Sequence, residues 1–187
     1  MEGNKVYEET FKDFMLEKRV DKELINEYKE LLPTELLNVW EQYGFGSLLN
    51  GYLKIINPKD YIEVLEDSYY ASSKAIPIMV TGFGDLIIWK ENRYIMMLKY
   101  KELDSECIAS TMKWFWGDLL DKNYTDDYFE LKQYEKAVAK YGKLAYGECF
   151  GYTPLLGLGG SKKIANLDKV TIREHIELIT AMMGRIE

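Results

Sequence analysis

Hydrophobic and polar positions fall into two regimes along this chain. Between Ala75 and Tyr100 the apolar residues come in dense runs: Ile76–Val80, Leu86–Trp89 and Tyr94–Tyr100. The intervening segments, Thr81-Gly82-Phe83-Gly84-Asp85 and Lys90-Glu91-Asn92-Arg93, are rich in glycine and polar turn formers. Runs this short, punctuated this way, predict three strands of one antiparallel sheet, the last two paired as a hairpin. Neither Leu86-Ile87-Ile88-Trp89 nor Tyr94-Ile95-Met96-Met97-Leu98 has a polar face, which predicts a sheet covered on both sides. The glycines of Gly82-Phe83-Gly84 are read as a bend between strands.

Helical spacing prevails elsewhere. Tyr7–Lys18 places Phe11, Phe14 and Met15 on one helical face, and Asp21 is positioned to cap a second helix carrying Leu24, Ile25, Tyr28, Leu31 and Leu32. Pro33 ends that helix, Thr34 opens a third with Leu36, Leu37, Val39, Trp40 and Tyr43, and Gly44 stops it. Gly46–Gly51 reads as a turn region, Tyr52–Ile56 as a short strand, and Asp60–Tyr69 as a helix. After Lys101–Ser105 a helical stripe returns through Ile108, Met112, Phe115, Trp116, Leu119 and Leu120. Asp126 or Asp127 is expected to cap the helix that buries Leu131, Tyr134, Val138 and Tyr141. Leu155–Leu158 reads as a strand ending in a tight turn, and Thr171-x-x-Glu174 as a capping box opening the helix Ile172–Met183. The expected fold is α+β: one body over residues 1–187, with a mostly antiparallel central sheet flanked by helices from both termini.

Composition changes this picture little, and charge more. The 187 residues are 47% hydrophobic and 29% charged, which excludes a disordered chain. Fifteen Tyr and four Trp are read first as a core rim, with an aromatic protein-binding surface as the alternative. Residues 1–70 carry fifteen Asp or Glu against eight Lys or Arg, which accounts for the whole net charge of −7. An acidic chain repels phosphate backbones, so direct nucleic-acid binding is not expected, whereas a basic protein partner would be steered toward it. Glu23, Glu27 and Glu30 share one face of the second helix. With Asp60, Glu63 and Asp67 they form the expected partner-binding surface, set against the reading that they are simply solvated. Met1-Glu2-Gly3-Asn4 has no apolar region behind it and no run reaches membrane-spanning length, so a cytoplasmic protein without membrane attachment is expected.

Catalytic chemistry has little support. Cys107 and Cys149 lack metal-ligand spacing and are expected reduced, and the lone His175 lies beside Ile172, Ile176 and Ile179 at the edge of the core. Asp118, Asp121, Asp126, Asp127 and Glu130 fit no known cation loop and read as caps and solvated charge. The Gly157–Lys163 loop invites a phosphate reading, which makes a nucleotide- or small-molecule-binding regulatory domain the alternative function, yet its spacing matches no P-loop. No catalytic residue, cofactor site or metal site is assigned.

Two sets of segments carry a family resemblance. Leu32-Pro33-Thr34-Glu35-Leu36-Leu37 leading to Trp40-Glu41-Gln42-Tyr43-Gly44, then Asn50-Gly51-Tyr52 and Ile56-Asn57-Pro58-Lys59-Asp60-Tyr61, resembles the GAD-like domain and the SUKH-type immunity families. Ile76-Pro77, Thr81–Leu86 and Trp89, with Phe150-Gly151-Tyr152-Thr153-Pro154, Leu158-Gly159-Gly160 and Val170–Gly184, resembles the C-terminal domain of type VI secretion DNase immunity proteins. The resemblance divides the chain into a GAD-like helical part, 1–70, and an immunity-type part, 75–187. It implies a cytoplasmic antitoxin that binds a cognate toxin, a nuclease, and neutralises it by occlusion, with no catalytic residue and no cofactor; the acidic first half suits a basic nuclease.

Overall fold

The computed structural model describes residues 2–187, with side chains from residue 5 onward; Met1 lies outside the described residues. In chain order the elements are α1 (Glu2–Thr10), β1 (Met15–Lys18), α2 (Lys22–Tyr28), α3 (Thr34–Gln42), β2 (Phe45–Leu48), β3 (Leu53–Ile55), α4 (Ile62–Ser68), β4 (Ala75–Val80), β5 (Leu86–Lys90), β6 (Tyr94–Lys99) and β7 (Asp104–Ala109). They continue with α5 (Met112–Asp118), α6 (Lys122–Phe129), α7 (Leu131–Tyr141), β8 (Glu148–Tyr152), β9 (Leu167–Thr171) and α8 (Ile172–Met183). Strands β1 to β7 form one antiparallel sheet in sequential order, and β8 pairs with β9 in a small second sheet. The expected α+β class with a mostly antiparallel central sheet is what the chain adopts.

The apolar runs explain the layering. In a strand, alternate side chains face opposite sides. Ile87, Trp89, Ile95 and Met97 accordingly enter one core with Trp40 of α3, Phe115 and Trp116 of α5, Phe129 of α6 and Tyr134 of α7. Their neighbours Leu86, Ile88 and Leu98 enter a second core with Val64 and Leu65 of α4 and Ile172, Ile176 and Ile179 of α8. Both faces are thus covered, as the lack of a polar face requires. Lys54 breaks the pattern. Leu53 and Ile55 join the first core, so the intervening Lys54 points into the opposite layer, 1% exposed, with its Nζ unpartnered.

Several expectations are corrected. The segment read as one helix over Tyr7–Lys18 is α1 followed by the edge strand β1, whose four residues are all exposed on their side chains. The supposed turn Gly46–Gly51 begins inside strand β2, and Ile108, read as the start of a helical stripe, lies in β7, with α5 opening only at Met112. Asp126 and Asp127 lie within α6, which is capped by Asp121, whose carboxylate accepts from the Asn123 amide at 2.8 Å. Leu155–Leu158 is a loop with a single 3-10 turn, and strands β8 and β9 are elements that the sequence pattern does not predict. Helix α8 spans Ile172–Met183 as read, although the Thr171 side chain makes no capping bond.

The turn between β4 and β5 ties the layers together. Thr81 Oγ1 accepts from the amides of Phe83 (3.3 Å) and Asp85 (3.1 Å), and Asp85 Oδ1 accepts from the Tyr100 amide at 3.1 Å. Gly84 takes φ +81°, where a side chain would be strained. A Cβ on Gly82 would lie 2.6 Å from the Tyr134 ring of α7, and the Gly82 carbonyl accepts from the Phe150 amide of β8 at 2.8 Å.

Candidate functional site

Helices α2 and α4, with the residues that flank them, carry the predicted acidic residues, and α8 packs beside α4. Glu23, Glu27 and Glu30 are exposed along and just beyond α2. Glu27 Oε2 lies 2.6 Å from Lys59 Nζ, an ion pair that clasps α2 to the Pro58–Asp60 turn. A concavity of about 430 Å³ beside it has Lys18, Arg19 and Lys59 among its walls, so positive charge mixes with the glutamates there.

Asp60, Glu63 and Asp67 stand on a different face, around α4. That helix packs beside α8, and a cleft of about 300 Å³ runs between them. Its floor includes the buried Val64 and Ile176; its rim carries exposed Ala181 with Glu63, Asp67 and Glu177. Arg173 reaches over one end: Nη1 donates to the Asp60 carbonyl at 3.0 Å, while Nη2 stands 3.9 Å from Glu63 and 3.8 Å from Glu177. Arg185 stands 4.0 Å from Asp67. Inside the cleft Thr180 Oγ1 is buried without a hydrogen-bond partner. The six predicted residues therefore form two faces. Sequence reasoning missed Arg173, Glu177 and Thr180, although they recur at i, i+4 and i+7 beside the buried stripe of Ile172, Ile176 and Ile179.

A third surface is apolar. Between α1 and α5 lies a groove of about 860 Å³ lined by Val6, Tyr7, Trp114, Trp116 and Leu120, with charges of both signs at its edge. Trp114 is 63% exposed and off the helical stripe, which was its signal in the sequence. Tyr52, Tyr61, Tyr69, Tyr100, Tyr134 and Tyr152 are buried, so the core-rim reading accounts for those tyrosines.

The remaining candidates resolve into structure. Buried Asp85 faces Lys101 at 3.6 Å, and Lys101 also pairs with Glu130. Burial alone would lower the Lys101 pKa, but Asp85, Glu130 and Glu102 outweigh it and raise it, so the ammonium stays charged; burial pushes the Asp85 carboxyl up. In the Gly157–Lys163 loop, Lys162 pairs with Glu102 and stands 3.9 Å from Glu130, so a phosphate there would compete with carboxylates for it. Asp126 pairs with Lys132 at 2.6 Å. Among the described residues no three His, Cys, Asp or Glu side chains converge as a metal site, and no helix is long and apolar enough to cross a membrane. His175 is buried against Gly151 and its pKa is lowered by desolvation to about 4. Buried Cys149 is pushed up by desolvation to about 12, and Cys107 is exposed; both are free thiols.

Comparison with known proteins agrees with this architecture. No curated protein matches the chain. The crystal structure of Atu4351 from Agrobacterium tumefaciens aligns with a TM-score of 0.76 at 16% identity, covering 92% of this chain and 87% of its own; at that identity it speaks for the fold alone. Residues 109–183 match the C-terminal domain of the type VI secretion immunity protein Tdi1. Residues 5–101, more than half of the chain, match the GAD-like domain, and the protein belongs to that family.

Proposed function

We propose that the protein is an antitoxin that binds a cognate secreted bacterial toxin, a basic nuclease, in the cytoplasm and neutralises it by non-catalytic occlusion. The observation that carries this reading is the match of residues 109–183 to a type VI secretion immunity domain. The acidic N-terminal half supports it, because an acidic surface accelerates encounter with a basic partner. In this reading the chain acts as one body, and the carboxylates of Glu23, Glu27, Glu30, Asp60, Glu63 and Asp67 form the surface that the toxin approaches. It needs no cofactor and no nucleic-acid contact of its own.

Co-expression with the product of the neighbouring gene tests the proposal. That product is expected to arrest growth alone and to be silenced, in a co-purifying complex, by this chain. A harmless neighbour, or one that remains lethal without forming a complex, would reject it.

A further inference from the structure

We infer that the cleft between α4 and α8 is the seat of the toxin contact, and that it receives an arginine or lysine side chain from a basic docking segment. The inference rests on the immunity reading and adds to it the surface and the chemistry of the contact.

Charge separates the two acidic faces. Helix α4 carries Glu63, Glu66 and Asp67 and no basic residue; α8 adds Glu174 and Glu177 against Arg173. Together the two helices have a net charge of −4, counting His175 as neutral. Helix α2 has Glu23 and Glu27 against Lys22, and its Glu27 is already closed by Lys59 at 2.6 Å. In the cleft no carboxylate is closed so tightly. Its cation contacts stand at 3.8 to 4.0 Å, beyond direct hydrogen-bond length, which leaves the Glu63, Asp67 and Glu177 oxygens free to accept from a guest.

The protein also shows what the cleft accepts. Arg173 places its own guanidinium between Glu63 and Glu177, anchored through the Asp60 carbonyl, and so acts as an internal stand-in for the guest. Beside it, Val64, Ile176 and the exposed Ala181 line an apolar strip for the methylene stem of an incoming side chain. Thr180 Oγ1 lies beneath this strip, buried and without an internal hydrogen-bond partner. A guest would share or displace the Arg173 head group. The larger α1–α5 groove has rims of mixed sign and so does not select for charge.

The test uses the full chain and the toxin encoded beside it, with binding kinetics followed at several salt concentrations and folding of each variant checked by thermal melting. Glu63→Lys combined with Glu177→Lys is expected to weaken Kd at least tenfold at physiological salt, mostly through faster dissociation, and to flatten its salt dependence. Glu23→Lys with Glu30→Lys should slow association without speeding dissociation. Arg173→Ala removes the internal competitor and should tighten binding severalfold, whereas a merely structural Arg173 would weaken it. Wild-type affinity and salt dependence in the Glu63/Glu177 variant would overturn the proposal, as would binding lost through Trp114→Ala alone. Failure of the wild-type chain to bind at all is a separate result, and it rejects the immunity reading itself.

Discussion

Replacing Lys54 with methionine should stabilise this protein. The lysine lies in the middle strand of the β2–β3–β4 ladder, 1% exposed, and its ammonium has no hydrogen-bond partner. Burial lowers its pKa from 10.5 to about 8, with Cys149 and Glu148 offsetting only part of the effect. At about 1.4 kcal/mol per tenfold change in proton affinity, keeping that amine charged at pH 7 costs the fold about 3 kcal/mol. Methionine keeps the length of the side chain and removes the charge, so Lys54→Met should gain about 3 kcal/mol at pH 7. For a chain of this size that is a rise of roughly 10 °C in Tm. The pH dependence is the sharper readout. The unfolded chain binds the proton up to about 10.5 and the native chain only to about 8, so the wild type recovers stability between those values. The advantage of the variant should therefore shrink to about 1 kcal/mol by pH 9.5. Cys149 titrates with the opposite sign, because its native pKa of about 12 lies above the ordinary value of 9.0. The difference between variant and wild type, measured by urea unfolding at each pH, largely cancels it. A variant of equal or lower stability at pH 7, or an advantage that stays flat with pH, would refute the isolated-ammonium argument.

Three further outcomes follow from the core. His175 has a native pKa of about 4 against 6.5 for the free side chain, so its contribution is fully present above pH 6.5 and lost as pH falls toward 4; urea midpoints should drop across that window, and His175→Phe should flatten the drop. Asp85→Ala would leave Lys101 with Glu130 as its carboxylate partner but remove the acceptor for the buried Tyr100 amide, and calorimetry should record a loss of about 1–3 kcal/mol. Gly82→Ala would drive a Cβ to 2.6 Å from the Tyr134 ring and should cost about 1–3 kcal/mol, recovered in part when Tyr134→Leu is added.

The chain advertised its centre and concealed its edges, for physical reasons. Strands β4 to β6 are legible because their apolar runs serve two cores at once. Strand β1 is not, since Met15-Leu16-Glu17-Lys18 is exposed throughout and its pairing comes only from β2. Gly46 misled in another way. It reads as a turn residue, but it sits inside a strand where a Cβ would lie 2.2 Å from the Met15 carbonyl. A Cβ on Gly151 inside β8 would likewise lie 2.5 Å from the His175 ring. Glycine there permits close approach, not reversal. The acidic residues were legible singly. Their division into two faces was not, because helical spacing sets a direction on one helix and says nothing about which helix lies beside it. Arg173 shows this best: its role depends on α4, more than a hundred residues earlier.

The Thr81–Asp85 turn belongs to the first matched stretch, residues 5–101, yet it is seated by Tyr134 and Phe150 from the second. Strand β7 lies almost wholly between the two stretches and closes the sheet at β6. Recombination between relatives at this seam would therefore be constrained. An exchanged C-terminal half must arrive with an aromatic ring shaped to Gly82 and an amide in register with its carbonyl. The turn works as a compatibility lock, so a new binding specificity should be gained more easily by changing helix surfaces than by trading halves.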